Sequence, residues 1–440
     1  MAATNHLRVI LALGALSTGA LVRAEAPPPA VAPRAISGDR AEPRWDEMVT
    51  ITVGQASADM VGSDDRVLQA AVDYVTRLGG GTVRVLPGTY RLRNSIFLRS
   101  HLRLIGSGPA SILFKEPSHT SKLAQGSDWY DQEITLTDPA GFRVGDGVCL
   151  KTRNPHNNST TVLKRTLVAR SGARFKLDRA LRENFWLQGE ATATSVFPIL
   201  CGEEIADVTI EDIALDGNRQ HNDNLDGNYS GCIFLQDCKD ITIRRVEARN
   251  NNGDGISWQI CHDVRVEDCD SHDHAGLGLH PGSGSQRPVI RGNKLRNNDI
   301  GLFFCWGVRG GLAEKNLIED NKSFGISIGH KDTDNLVRDN DVRRSGKAGI
   351  LFRPERGPGF APDRNRFERN RIIDSGPDAA AAIDIQGVPD GVVLEANEIR
   401  ETRGPATRVG IRIAASAGTI HLRDNTIDGV ATPVLDQRKK

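Results

Sequence analysis

Aromatic residues are scarce in this 440-residue chain: Phe, Trp and Tyr together make up 5%, and methionine occurs three times. A core must therefore be built from small and β-branched side chains. Net charge is also missing, because 56 Lys and Arg cancel 56 Asp and Glu. That balance leaves no electrostatic footprint for nucleic acid, and nothing basic gathers beyond Arg438-Lys439-Lys440. Past the first 24 residues no long apolar run occurs, which excludes a polytopic membrane protein. With 38% hydrophobic residues the chain is equally far from an outright disordered one.

The first 24 residues read as a secretory signal: Arg8 closes a short n-region, Val9 to Leu21 are apolar, and Val22-Arg23-Ala24 offers small residues for cleavage. Residues 25–44 read as a Pro/Ala-rich linker containing Pro27-Pro28-Pro29. A secreted or periplasmic location follows, with no stable membrane insertion once the signal is removed. Seven cysteines then face a disulfide-permissive compartment. Their spacings follow a structural repeat, so they are expected to be mostly buried thiols.

That repeat decides the fold. A small residue followed by alternating apolar positions recurs at Gly255-Ile256-Ser257-Trp258, Gly276-Leu277-Gly278-Leu279, Gly301-Leu302-Phe303-Phe304 and Gly325-Ile326-Ser327-Ile328. It continues at Gly349-Ile350-Leu351-Phe352, Ala382-Ile383-Asp384-Ile385 and Gly410-Ile411-Arg412-Ile413, in steps of 21, 25, 24, 24, 33 and 28 residues. A second column, Asn293, Asn316, Asn340, Asn370, Asn397 and Asn425, keeps nearly the same period. Two-residue alternation without helical pattern between the repeats predicts an all-β parallel solenoid of roughly ten coils, with stacked Asn amides bonding one to the next. Before it, Asp64 can cap a helix whose apolar face is Leu68, Ala71, Val72, Val75 and Leu78, suited to cover the open end. The expected organisation is a cap and first coils over 45–117, a β-rich insertion over 118–198, the repeat domain over 199–432 and a tail over 433–440.

Asp64-Asp65, Gln69-Ala70-Ala71, Gly79-Gly80-Gly81-Thr82-Val83 and Pro87-Gly88-Thr89-Tyr90 resemble the opening of pectate-lyase-like right-handed parallel β-helix proteins. The Asn- and Gly-punctuated coils resemble the repeat of that superfamily. The resemblance covers about residues 50–430 and implies an exported protein directed at carbohydrate. It speaks to fold more than to reaction, since the superfamily holds lyases, hydrolases, epimerases and binding proteins.

With the second and fourth strand positions inward, the fifth column outward reads Gln236, Gln259, His280, Cys305, Gly329, Arg353, Gln386 and Ala414, and the third supplies Ser257, Ser327 and Asp384. His280, His330, Lys331 and Arg353 then share one locally basic face. These four and Asp332 are the candidate catalytic residues. Proton abstraction beside a uronate carboxylate needs a cation to bear the developing charge, a base and an acid. Arg353 and Lys331 suit the first role, His280 and His330 the other two, and Asp332 would orient a neighbour. Gln259, Trp306, Asp334, Glu355, Arg356, Asp384 and Gln386 are the candidate substrate-binding residues, for a polysaccharide or oligosaccharide partner.

Uronate epimerases of the superfamily carry Asp-Pro-His near a strand end, where this chain has Leu279-His280-Pro281. An inverting hydrolase is the alternative: Asn252-Gly253-Asp254-Gly255 is similar to the Asn-Thr-Asp-Gly of polygalacturonases, with Asp254 and Asp273 as candidate carboxylates, although the Asp-Asp pair and Gly-His-Gly of those enzymes are absent. A non-catalytic carbohydrate-binding solenoid is the third reading. No metal-ligand spacing stands out, no cofactor is required, and Ca2+ is compatible with the sequence.

Overall fold

The computed structural model describes residues 47–404 and 407–438. The expected signal (1–24) and linker (25–44) lie outside them. Helix Asp65–Arg77 begins at Asp64, whose carboxylate accepts from the Arg66 amide across 3.1 Å. Its buried stripe is Leu68, Ala71, Val72 and Val75, and it packs on the first strands, Thr50–Gly54 and Gly81–Val85. Gly81 must follow closely: at φ 148° a β-carbon there would lie 2.3 Å from the Val49 carbonyl oxygen.

Beyond this cap the chain winds into three parallel stacks. Two stacks are joined where long strands, Leu102–Lys115 and Ala206–Asp216, bend round a corner and pair with a different neighbour at each end. The third stack is a separate sheet of eleven strands. On its inner side Ile233, Ile256, Leu279, Leu302, Ile326, Ile350, Ile383 and Ile411 lie in one column, each fully buried. Burial of each such side chain contributes about 1.5–3 kcal/mol, so a core poor in aromatics suffices.

The Asn column is a hydrogen-bonded ladder. Asn293, Asn316, Asn340, Asn370 and Asn397 donate Nδ2 to the next Oδ1, the last of them that of Asn425, at 2.9, 2.8, 2.9, 3.0 and 2.9 Å. All seven cysteines are free thiols, six of them buried. Cys238 and Cys261 stack one coil apart, the Cys238 amide donating to the Cys261 sulfur across 3.4 Å.

The period is broken by an antiparallel six-stranded sheet running from Thr120–Lys122 to Thr192–Thr194, with its own core around Phe142, Phe175, Leu177 and Phe185. Arg93 ties it to the first coils through Asp146 at 2.7 Å. Two expectations are corrected. Residues 433–436 are not tail: Thr432–Asp436 is the last strand of the third sheet, paired with Val409–Ile413. His280 does not stand in the Gln259 column, because the register is Ile256 with Leu279 and Ser257 with His280. The register differs by two residues from the expected one because Leu277 and Leu279 repeat the same alternation. A two-residue slip keeps every side chain on its proper face, so the hydrophobic pattern alone does not detect it.

Candidate functional site

The outward side of the third sheet carries two columns. One reads Phe234, Ser257, His280, Phe303, Ser327, Leu351, Asp384 and Arg412. The other includes Gln236, Gln259 and Gly282, and carries Cys305, Gly329, Arg353 and Gln386 at the same strand position in later coils. Two pieces of chain wall this face. From the insertion, Lys164 stands 3.8 Å above the Phe234 ring and 3.1 Å from Glu203. From residues 217–231, a turn drops over the sheet until the Gly227 carbonyl accepts from Ser257 Oγ across 2.6 Å. Gly227 fits only because it lacks a side chain: a β-carbon would lie 1.7 Å from Asp254 Oδ2.

Under that turn lies a buried dyad. Asp254 accepts the Leu277 amide at 2.9 Å through Oδ1, and its Oδ2 is 2.8 Å from His280 Nδ1. His280 is 3% exposed, outside the solenoid's apolar core, with its ring edge-on to Phe303 at 5.4 Å. Burial alone would lower its pKa, but the Asp254 carboxylate, and then the Cys305 sulfur, push it up to about 9. Nε2 has no nitrogen or oxygen partner.

Arg353 reaches back across the sheet. Its guanidinium lies 4.1 Å over the Phe303 ring, donates to Ser327 Oγ at 2.7 Å and to the Phe304 carbonyl at 2.6 Å, and is 3.4 Å from Asp332. Asp332 is fully buried and caps two turns, accepting the amides of Gly307, Val308 and Gly329 at 2.9 Å each. Burial pushes its pKa up to about 7 against the pull of Arg353 and those donors.

His330 and Lys331 belong to a rim cluster. His330 packs on Trp306 at 5.3 Å, Trp306 on Phe360 at 5.5 Å, and Lys331 stands 4.0 Å over Phe360 while Arg356 covers Trp306 at 5.5 Å. The pKa of His330 is lowered by burial, then by Arg353 and Arg356, and its Nδ1 is buried without a partner. Trp306 is 39% exposed, a flat surface between cations.

Farther along, Asp384 receives the Gln386 amide at 2.8 Å and lies 3.5 Å from Arg412, in a depression shared with Lys347. Gln259 donates to Ser257 at 3.2 Å and leaves Oε1 unpartnered. Five of the buried polar atoms without partners, on Gln259, His280, His330, Arg353 and Asp384, thus belong to this one face and its rim.

Three sequence candidates are placed elsewhere or otherwise engaged. Asp334 is locked to Arg364 at 2.7 and 2.9 Å, like the corner pairs Asp263–Arg287 and Asp320–Arg344 one coil apart. Glu355 braces a loop by accepting the Val388 amide at 2.9 Å. Asp273 engages His272 at 2.6 Å, not Asp254's partners, so the two carboxylates of the hydrolase alternative are used separately. Reasoning from the sequence also missed Phe303, Lys164 and the 217–231 turn, whose only signal was the long step before Ile233. Among the described residues no group of three or more His, Cys, Asp or Glu gathers as a metal site.

No protein-family model matches the sequence. Mannuronan C5-epimerase AlgE2 of Azotobacter vinelandii is 22% identical over 306 residues, which is 67% of this chain and 22% of the epimerase. AlgE6 of the same organism is 26% identical over 280 residues, 63% of this chain and 22% of that protein. The chain therefore spans about a fifth of the length of these curated relatives. Among solved structures, the A-module of Azotobacter vinelandii mannuronan C-5 epimerase AlgE4 aligns with a TM-score of 0.51 at 16% identity, covering 86% of this chain and 96% of the module. That likeness, the three parallel stacks and the Asn ladder agree on one architecture, and the chain has the right-handed parallel β-helix fold.

Proposed function

We propose that the protein is an exported enzyme that modifies a uronate-containing polysaccharide on the outer face of the third sheet, by taking the proton beside the uronate carboxyl. The observation that carries this reading is the pair of histidines at that face shifted in opposite directions: His280 is raised to about 9 and His330 is lowered. Opposed shifts divide acid from base. His330, neutral at neutral pH, accepts the proton; His280, charged, donates one. Arg353, together with Lys331 and Arg356 at the rim, neutralises the carboxylate so that the developing enolate is bearable. Trp306 offers a sugar ring a stacking surface, and the Asp384, Gln386 and Arg412 group binds farther along the chain. The sequence similarity to mannuronan C5-epimerases supports a uronate substrate.

The test is incubation of the full chain with polymannuronate, polyguluronate and polygalacturonate. Unsaturated-uronate absorbance reports elimination, and proton NMR of the product reports inversion at C5. His330→Ala and Arg353→Ala are each expected to lower the rate ~10²–10⁴-fold. New reducing ends without that absorbance, or wild-type rates in both variants, overturn the reading.

A further inference from the structure

Cys305 stands between two glycines. In its outward column the neighbour on one side is Gly282 and on the other Gly329, a register held by the Cys305 amide on the Pro281 carbonyl at 2.9 Å and the Phe304 amide on the Ser327 carbonyl at 2.9 Å. Both vacated spaces are filled from the coil beyond. A β-carbon at 282 would lie 2.1 Å from Gln259 Oε1, and one at 329 would lie 2.9 Å from Arg353 Nε. The amide and the guanidinium therefore fold over the two glycines that flank Cys305.

Both heads are buried with capacity to spare: Gln259 is 4% exposed with Oε1 unpartnered, and Arg353 Nε has no partner. From the adjacent column comes His280, 3% exposed, with Asp254 on Nδ1 and Nε2 without a hydrogen-bond partner. His280 precedes Gly282 by two residues on one strand and Cys305 is the neighbour of Gly282 in the next coil, so ring and thiol occupy diagonal positions on the outward face. Cys305 is also the half-buried thiol of the seven, the others being fully covered.

We propose that Cys305 is a nucleophile, with His280 as its proton partner and Asp254 orienting the imidazole, in a site that cleaves an acyl ester carried by the bound polysaccharide. Cys305 Sγ attacks the ester carbonyl carbon, its proton resting on His280. The S–C bond forms, the carbonyl oxygen takes the negative charge beside the Arg353 guanidinium, whose Nε–H is unpartnered, and the C–O bond to the glycan breaks. His280 delivers its proton to the departing glycan oxygen. Water then attacks the thioester, His280 takes the water's proton and returns it to the leaving sulfur, and the free acid and thiol are restored. The same division of labour among nucleophile, imidazole and carboxylate recurs on unrelated folds and is recognised by geometry. This activity stands apart from the proton abstraction proposed above, although His280 serves as proton donor in both.

The experiment incubates the full chain with 4-nitrophenyl acetate and with chemically O-acetylated polymannuronate, and measures acetate released and acetyl mass on Cys305 in acid-quenched protein. Wild type is expected to release acetate from both, and Cys305→Ala to lower the rate ~10²–10⁴-fold with an unchanged thermal melt. No acetate from wild type, or equal release by Cys305→Ala, overturns the proposal. If that variant does not fold, native protein alkylated at Cys305 by iodoacetamide takes its place, and a full rate in the alkylated protein is equally fatal. Elimination and epimerisation of acetyl-free polymannuronate are scored in parallel on wild type, so failure of either proposal shows separately.

Discussion

Asp254 and His280, 26 residues apart, meet across 2.8 Å with side chains only 5% and 4% exposed. The turn that buries them makes this pair the place where stability and chemistry at the face depend on the same proton. In the folded chain His280 titrates near 9, above its unfolded value of about 6.5. Its contribution is therefore complete below ~6.5 and is lost as pH rises through about 9, amounting to roughly 3 kcal/mol. The urea-denaturation stability of wild type minus that of His280→Asn should be largest at pH 6 and shrink across that window. A difference independent of pH would contradict the pairing.

Gly329→Ala should act through Arg353. The new methyl lands 2.8 Å from the Arg353 Cβ and 2.9 Å from its Nε, so the guanidinium must lift from Phe303 and Ser327. Overpacking of this kind costs about 1–3 kcal/mol. The melting temperature should fall, and KM for polyuronate should rise. Gly357→Ala, where the new methyl meets nothing within 4 Å, is the control and should change neither.

Asn340→Ala removes a rung that accepts from Asn316 and donates to Asn370 and the Ala313 carbonyl. Buried groups left without partners should cost about 1–3 kcal/mol for each one orphaned. Asn425→Ala, at a partly exposed rung, should cost less in the same urea titration.

Native protein treated with iodoacetamide should be labelled at Cys305 first. Burial pushes Cys149 and Cys201 up to about 11, and Cys232 and Cys269 up to about 12, so those thiols resist alkylation. Denatured without reductant, the chain should take seven labels, since no disulfide joins them. Peptide mapping by mass spectrometry reads both.

The solenoid, its capping helix and the Asn ladder were legible because each is a repeated local choice: an alternation, a spacing, a cap. The face was legible only in part. Arg353, Gln259 and Asp384 fall where alternation puts them, but His280 was assigned to the wrong column, since Gly276-Leu277 and Gly278-Leu279 are interchangeable to a two-residue period. Asp332 and Asp334 look alike in sequence, yet one is buried under three amides and the other pairs outward with Arg364. That difference arises from which way the turn faces, and no periodicity encodes it. The cover over Asp254 comes from residues 217–231, long-range packing around Leu225 that leaves no local signature.

Ile350 and Ile383 are 33 residues apart yet adjacent in the inner column, as close as Ile326 and Ile350 at 24. The extra length, including Pro354 to Arg364, leaves and rejoins the coil without disturbing register. Doubling a loop costs only about 0.6 kcal/mol in closure entropy, so the wall beside Trp306 is thermodynamically cheap to lengthen or replace. Under the proposed function, exchanging that excursion alone would change which glycan is bound, with the rungs and apolar columns on either side left intact.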